Sequence, residues 1–277
     1  MNICRKAFLG IALALLTCLL MSFTCAASEN TTKPITLLYN DNPIEGAIYA
    51  NETAYAPYRA LVSAIEPEVT YNWSRGVSTA YGKGIEIKAG ANNNYIEVNG
   101  RVFYNEKAPN LNINGTLYVP VESLANCYTL AHSFNLSRMR ACVAGTPSPA
   151  IHADKYYDED SLYWLSHIIS AESRGEPFRG QIAVGNVILA RVGDGSFPDT
   201  IYDVIFDKRF GIQFTPAYSG TIHKTPSESA VLAAKIVLEG TEVIDALYFC
   251  AARGASGSWM DRNRTYIETI GNHVFYW

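Results

Sequence analysis

At 277 residues the chain has room for one large or two ordinary domains. It carries 22 basic and 26 acidic residues, a net charge of −4, which argues against nucleic acid or an anionic membrane surface as its main partner. From the N-terminus, Arg5 and Lys6 lead into an apolar run from Ala7 to Met21 that is short for a membrane span. Cys25-Ala26-Ala27 follows, before a polar stretch. This is the pattern of a secretory signal peptide over residues 1–27, cleaved after Ala26 or Ala27. An uncleaved anchor is the alternative, and a membrane enters as a partner only in that case. Lipidation of Cys25 fits poorly, because Ser22-Phe23-Thr24 lacks the usual small residues before the modified cysteine. Cleavage leaves 20 basic against 26 acidic residues and only Cys127, Cys142 and Cys250. Three cysteines make no disulfide framework, although Cys127 and Cys142 share a domain and pairing between them is open.

Residues 33–145 are rich in Asn, Tyr, Gly and β-branched residues, with short alternating runs such as Tyr95-Ile96-Glu97-Val98. That is strand-and-turn composition. An internal repeat is visible. Asn51-Glu52-Thr53-Ala54-Tyr55-Ala56-Pro57, followed by Leu61, recurs as Asn114-Gly115-Thr116-Leu117-Tyr118-Val119-Pro120, followed by Leu124. Each copy predicts a turn, a short strand closed by proline, and a brief helix starting at Arg59–Val62 or Glu122–Ala125. Trp73 and Phe134 follow at similar distances. The pattern resembles the copper amine oxidase N-terminal-like domain, a small module that serves as a stalk or wall-associated unit in secreted bacterial proteins. No metal site is expected despite that name, since His132 is the only histidine in the span. Its Tyr and Trp residues are expected mainly in the core, with a sugar-stacking platform as the other reading. Thr146-Pro147-Ser148-Pro149-Ala150, inside a 146–154 linker, predicts a short, extended, semi-rigid spacer.

The second domain, 155–277, begins with Asp158-Glu159-Asp160 at the positive end of a helix. Leu162, Leu165, Ile169 and Glu172 are spaced three, four and three apart, so a carboxylate lies on the helix's apolar stripe. Gly175 and Pro177 end the helix just after it. Glu172 therefore sits at the edge of a core, where partial desolvation raises a carboxylic acid's pKa and keeps it a proton donor near neutrality. The plainer reading is a salt-bridged helix end, with Arg174 as partner. Gln181–Leu189, apolar nearly all round, predicts a buried second helix, and Asp199-Thr200 cap a short third one through Phe206. A long loop is expected from Asp207 to Lys224. Then Thr225-Pro226-Ser227-Glu228 reads as a capping box for a helix ending at Gly240, and strands are expected at Ala246–Cys250 and His273–Tyr276. The fold class is α+β: a small β-rich two-repeat module, then a mainly helical, lysozyme-like domain with a small sheet.

Glu172-Ser173-Arg174-Gly175-Glu176-Pro177, Gly180-Gln181-Ile182-Ala183-Val184, Phe197–Ile205, Gln213-Phe214, Ala246–Phe249 and Ile270–Tyr276 occur in that order. Together they resemble the SleB-type cell wall hydrolase family, over about residues 158–277. The resemblance implies a fold related to lytic transglycosylases, with Glu172 as catalytic acid. It also implies cleavage of the β-1,4 bond from N-acetylmuramic acid to N-acetylglucosamine in peptidoglycan glycan strands, outside the cytoplasm, leaving 1,6-anhydromuramyl ends. One departure stands out: the family's second helix usually ends Ile-Leu-Asn-Arg-Val, whereas Ala190 occupies the Asn position here and Asn186 lies one turn earlier.

One carboxyl suffices for such a reaction, because the substrate's own C6 hydroxyl attacks and no carboxylate nucleophile is required. Candidates for substrate contact are Glu176, Gln213, Tyr248, His273 and Tyr276. Each also has a structural reading: Glu176 as a turn-fixing acceptor, His273 as a satisfied strand histidine. Cys250 reads as a small buried hydrophobe. No cofactor or metal is expected. A zinc-dependent N-acetylmuramoyl-L-alanine amidase is the alternative enzyme, but His167, His223 and His273 lack paired ligand spacing. The non-enzymatic alternative is a catalytically silent wall-binding protein.

Overall fold

The computed structural model describes residues 32–277; the expected signal peptide and its cleavage site lie outside the described residues. The first repeat copy follows β1 (Lys33–Pro34), β2 (Thr36–Tyr39) and β3 (Asn42–Ile44), and is built from β4 (Ile48–Ala50), β5 (Thr53–Pro57) and α1 (Tyr58–Ile65). A meander of β6 (Thr70–Ser74), β7 (Val77–Gly82), β8 (Ile85–Gly90), β9 (Tyr95–Val98) and β10 (Arg101–Tyr104) separates it from the second. That copy comprises β11 (Leu111–Ile113), β12 (Thr116–Pro120) and α2 (Val121–Cys127), followed by β13 (Ala131–Asn135) and β14 (Arg140–Ala144).

Both hairpins turn through residues at positive φ, Asn51 and Glu52 in one, Asn114 and Gly115 in the other. Such turns match the right-handed twist of the flanking strands. The copies meet through equivalent strands: β5 pairs antiparallel with β12, Val119 opposite Ala56, as two-fold-related units would. Helix α1 buries Tyr58, Leu61, Val62 and Ile65, a one-sided stripe. Tyr55, Tyr58 and Tyr128 are fully buried, whereas Trp73, Tyr81 and Phe134 remain exposed, with Phe134 stacked on Tyr49.

The pairing that the sequence leaves open is answered in this half. Cys127 and Cys142 are both free. Cys127 is fully buried and donates to the Ser123 carbonyl, while Cys142 alternates with the core residues Ala141 and Val143 and so faces away from them. The 146–150 segment is hydrogen-bonded to the module. Ser148 and Ala150 donate to the Tyr128 and Cys127 carbonyls at 2.9 and 3.0 Å, and the Asn99 side chain donates to the Ala150 carbonyl at 2.7 Å. The segment is strapped to the module.

The second half contains α3 (Ala153–Tyr156), α4 (Glu159–Ser173), α5 (Phe178–Gly193), α6 (Ile201–Ile205), α7 (Thr215–Ser219) and α8 (Glu228–Leu238). It closes with β15 (Tyr248–Ala251), α9 (Trp259–Asn263), β16 (Tyr266–Ile270) and β17 (His273–Tyr276). The strands form one antiparallel sheet in the order β15-β17-β16. Thr200 caps α6 as expected, and Asp158, one of the acidic residues expected at the start of α4, is its cap. Helices α4, α5 and α8 share a core that leaves Gly185 no room for a side chain, since a Cβ there would lie 2.9 Å from Ile169 and from Val237. The 207–224 loop is less irregular than expected, because α7 and a 3₁₀ turn at Thr221–His223 occupy it. Helix α8 is capped by Ser227 rather than Thr225, whose carbonyl is taken by Arg174. No helix among the described residues is long and apolar enough to cross a membrane.

The halves share a core. Val102 of β10 is fully buried among the aliphatic residues of α4, α5 and α8, and Tyr104 meets Phe178 edge-on. Beside it Arg101 makes a bidentate pair with Glu239, at 2.9 and 2.6 Å, and the Tyr157 hydroxyl donates to the same carboxylate. Lys235 donates to the Gly100 carbonyl at 2.8 Å. Arg179 on α5 joins Glu106 of the module to Glu268 of β16.

Candidate active site

Glu172 lies in the last turn of α4, one residue before the helix ends. Leu165 and Ile169 below it are fully buried, and it is itself only partly exposed. Burial pushes its carboxyl up to about 7, with no opposing charge or hydrogen bond among the described residues. Arg174 does not pair with it: that guanidinium donates to the Ser170 hydroxyl and to the Thr225 carbonyl. Glu172 is thus a carboxyl at the rim of a core, divided between neutral and ionised forms near pH 7, the state a group needs to give a proton and take one back.

Glu176 is differently placed. Its oxygens accept from the Asn272 backbone N–H at 2.7 Å and from the Asn272 amide at 3.2 Å. Burial opposes its ionisation, but the Asn272 donors and nearby His273 outweigh that and hold the carboxyl below its usual range. It clamps the β16–β17 turn. Gly271 at that turn has φ +59°, and a Cβ there would come within 2.2 Å of Glu176 Oε2. Of the two readings for Glu176, the turn-fixing acceptor is the one with contacts here, one hydrogen bond to each of its oxygens. His273, next along, is buried with Nδ1 lacking a partner, its ring 5.1 Å from that of Phe249. Burial lowers its pKa, against the pull of the Glu176 charge. Gln181 donates to the Glu176 carbonyl, and its Oε1 is likewise buried without a partner.

Gln213 and Tyr248 come together in a cleft of about 590 Å³, walled by Phe197, Trp259 and Met260. Glu172 is not among the residues lining it. Under Tyr248 lies Arg191, 4% exposed, its Nε donating to the Leu247 carbonyl and its guanidinium 5.1–5.4 Å from the rings of Phe197, Phe214 and Tyr248. Burial pushes this arginine down to about 10. Arg264 lies over the Tyr248 ring at 4.3 Å and donates to its hydroxyl at 3.0 Å.

Tyr276 is 1% exposed and packs with Ala255 and Val274. Cys250 packs against that cluster, consistent with a small apolar filler. Asn186 is turned to the 241–243 segment, donating to the Thr241 carbonyl and accepting from Val243 N–H. It lines, with Ala190, a separate groove of about 480 Å³. The cleft residues that the sequence reading missed are Trp259, Phe210 and Arg264. The available signal was an aromatic directly after the glycine- and serine-rich Gly254–Ser258.

The Cell Wall Hydrolase family model matches residues 175–276, starting three residues beyond Glu172, and the Copper amine oxidase N-terminal domain model matches 39–131. The spore cortex-lytic enzyme of Bacillus cereus is 38% identical over 120 residues, 43% of this chain and 45% of that one. That of Oceanobacillus iheyensis is 34% identical over 132 residues, covering 47% and 46%. Through its C-terminal half the chain belongs to the cell wall hydrolase family. It spans under half the length of these two relatives. The solved catalytic domain of the germination-specific lytic transglycosylase SleB from Bacillus anthracis is 36% identical, covering 44% of this chain and 97% of that one, with a TM-score of 0.39. The second expected resemblance also stands: a copper amine oxidase N-terminal-like domain precedes the hydrolase domain.

Proposed function

We propose that the protein is an extracytoplasmic peptidoglycan glycosidase of lytic transglycosylase type, acting on the bond between N-acetylmuramic acid and N-acetylglucosamine in wall or cortex. The observation that carries this reading is the half-buried, unpaired Glu172 with its pKa near 7, at the end of α4 in a domain of the cell wall hydrolase family. The names of the similar proteins, spore cortex-lytic enzymes and a lytic transglycosylase domain, support the same chemistry. Protonated Glu172 gives its proton to the glycosidic oxygen as the bond to muramic C1 breaks. The resulting carboxylate takes the C6 hydroxyl proton as that oxygen closes on C1. No second carboxylate is required, in contrast to the paired acids of ordinary glycosidases.

The test is digestion of purified peptidoglycan by the wild type and by Glu172→Gln, with mass spectrometry of the products. Anhydro-muropeptides from the wild type alone are expected. Reducing muramic ends would make the enzyme a hydrolase and require a second carboxylate, while free stem peptides would make it an amidase and remove Glu172 from the chemistry.

A further inference from the structure

The walls of the 590 Å³ cleft are aromatic and apolar, yet its charge is not balanced. Asp207 is the only carboxylate lining it, and that group is bound bidentately by Arg209 at 3.0–3.2 Å, with its side chain 8% exposed. Arg264, by contrast, makes no ion pair among the described residues. Its Nη2 donates to Tyr248, and its Nε is buried without a partner. Because the Tyr248 hydroxyl accepts from Arg264, its own proton is free to donate outward. A guanidinium fork and a phenol therefore stand together in an aromatic recess, over a second, buried guanidinium on Arg191. A planar guanidinium with no carboxylate partner, beside a hydroxyl free to donate, fits a carboxylate.

We propose that this cleft is a carboxylate-binding subsite. In it Arg264 and the Tyr248 hydroxyl receive a free carboxylate of the substrate's muramyl peptide, while Trp259 and Phe197 cover the adjoining apolar face. The assignment rests on the peptidoglycan reading for its choice of ligand and adds to it a preference for acidic over amidated stems. Arg191 is a positioning residue here: it holds the Leu247 carbonyl and supports the Tyr248 ring from below.

The experiment is equilibrium binding of a muramyl dipeptide with free carboxylates, and of the same compound with those groups amidated. It is read by tryptophan fluorescence, to which Trp259 contributes, and by equilibrium dialysis. The acidic form is expected to bind at least about tenfold more tightly, the discrimination of one charge-assisted hydrogen bond. Arg264→Gln should erase that difference, Arg264→Lys should retain part of it, and Tyr248→Phe should reduce it. Equal binding of the two forms, or none of the acidic one, would overturn the proposal on the wild type alone, whatever the variants do. Wild-type protein that discriminates but cuts no wall would instead sink the transglycosylase reading and leave the subsite standing.

Discussion

The bidentate pair between Arg101 and Glu239 offers the sharpest test of how the two halves are joined. The side chains are 13% and 7% exposed, and the carboxylate accepts from both Arg101 nitrogens and from Tyr157. Glu239→Ala removes three charge-assisted contacts and strands a guanidinium that keeps only aromatic neighbours, the Tyr156 ring at 3.4 Å and the Phe103 ring at 5.3 Å. Breaking a buried pair in this way costs about 3–5 kcal/mol. The lower end, about 3 kcal/mol, is expected because those rings still shelter the cation. Arg101→Met should cost a similar amount, and the double variant Arg101→Met/Glu239→Leu far less than the sum, since matched apolar groups leave no orphan charge. Urea unfolding followed by circular dichroism and by tryptophan fluorescence would measure all three. Trp164, Trp259 and Trp277 report on the second half and the exposed Trp73 on the first, so fluorescence is weighted to the second half, whereas the backbone signal reports on both. Because Val102 belongs to the core of α4, α5 and α8, the two probes should give one coincident transition. Single-variant losses below about 1 kcal/mol, the range of an exposed pair, or two separate transitions, would refute the shared core.

Two further outcomes follow from the site. Glu172 has a folded pKa near 7 against a reference of 4.5, so its ionisation is disfavoured by the fold. The cost is absent below about pH 4.5 and fully developed above about pH 7. Glu172→Gln should therefore melt with the wild type at about pH 4 and a few degrees above it at about pH 8, while losing activity at both. Gly271→Ala places a Cβ within 2.2 Å of Glu176 Oε2 and 2.6 Å of Pro177 Cδ at φ +59°. It should cost about 1–3 kcal/mol in thermal unfolding and release the Asn272 clamp; an unchanged melting temperature would mean that the turn is not held as described.

Elements set by local chemistry were readable from the chain alone. The repeat announced its hairpins through Asn51 and Asn114, Thr200 announced its cap and the acidic run at Asp158 its helix start, because turn and cap preferences act within a few residues. Glu172 was legible for a similar reason: helical spacing alone puts it on the apolar stripe. What escaped depends on distant partners. The linker's hydrogen bonds run to Cys127 and Tyr128, and Asn186 is claimed by residues 241–243. The cleft joins residues 196–213 to 248–264, and the unpaired state of Arg264 emerges only once Asp207 is seen to belong to Arg209. The burial of Tyr276 was not legible either, because strand-end tyrosines look alike in sequence whether they face a cleft or, as here, a core.

The burial of Val102 bears on how such a protein could be reassembled by recombination. A chain that exchanged its first 150 residues for another module would leave an apolar socket on α4, α5 and α8, with Glu239 and Tyr157 holding no cation. A successful transplant must carry, on one short strand, a branched aliphatic side chain flanked by an arginine in the same register as Arg101 and Val102. The module is inherited as part of the second domain's interior, and a crossover within 146–154 divides one folding unit.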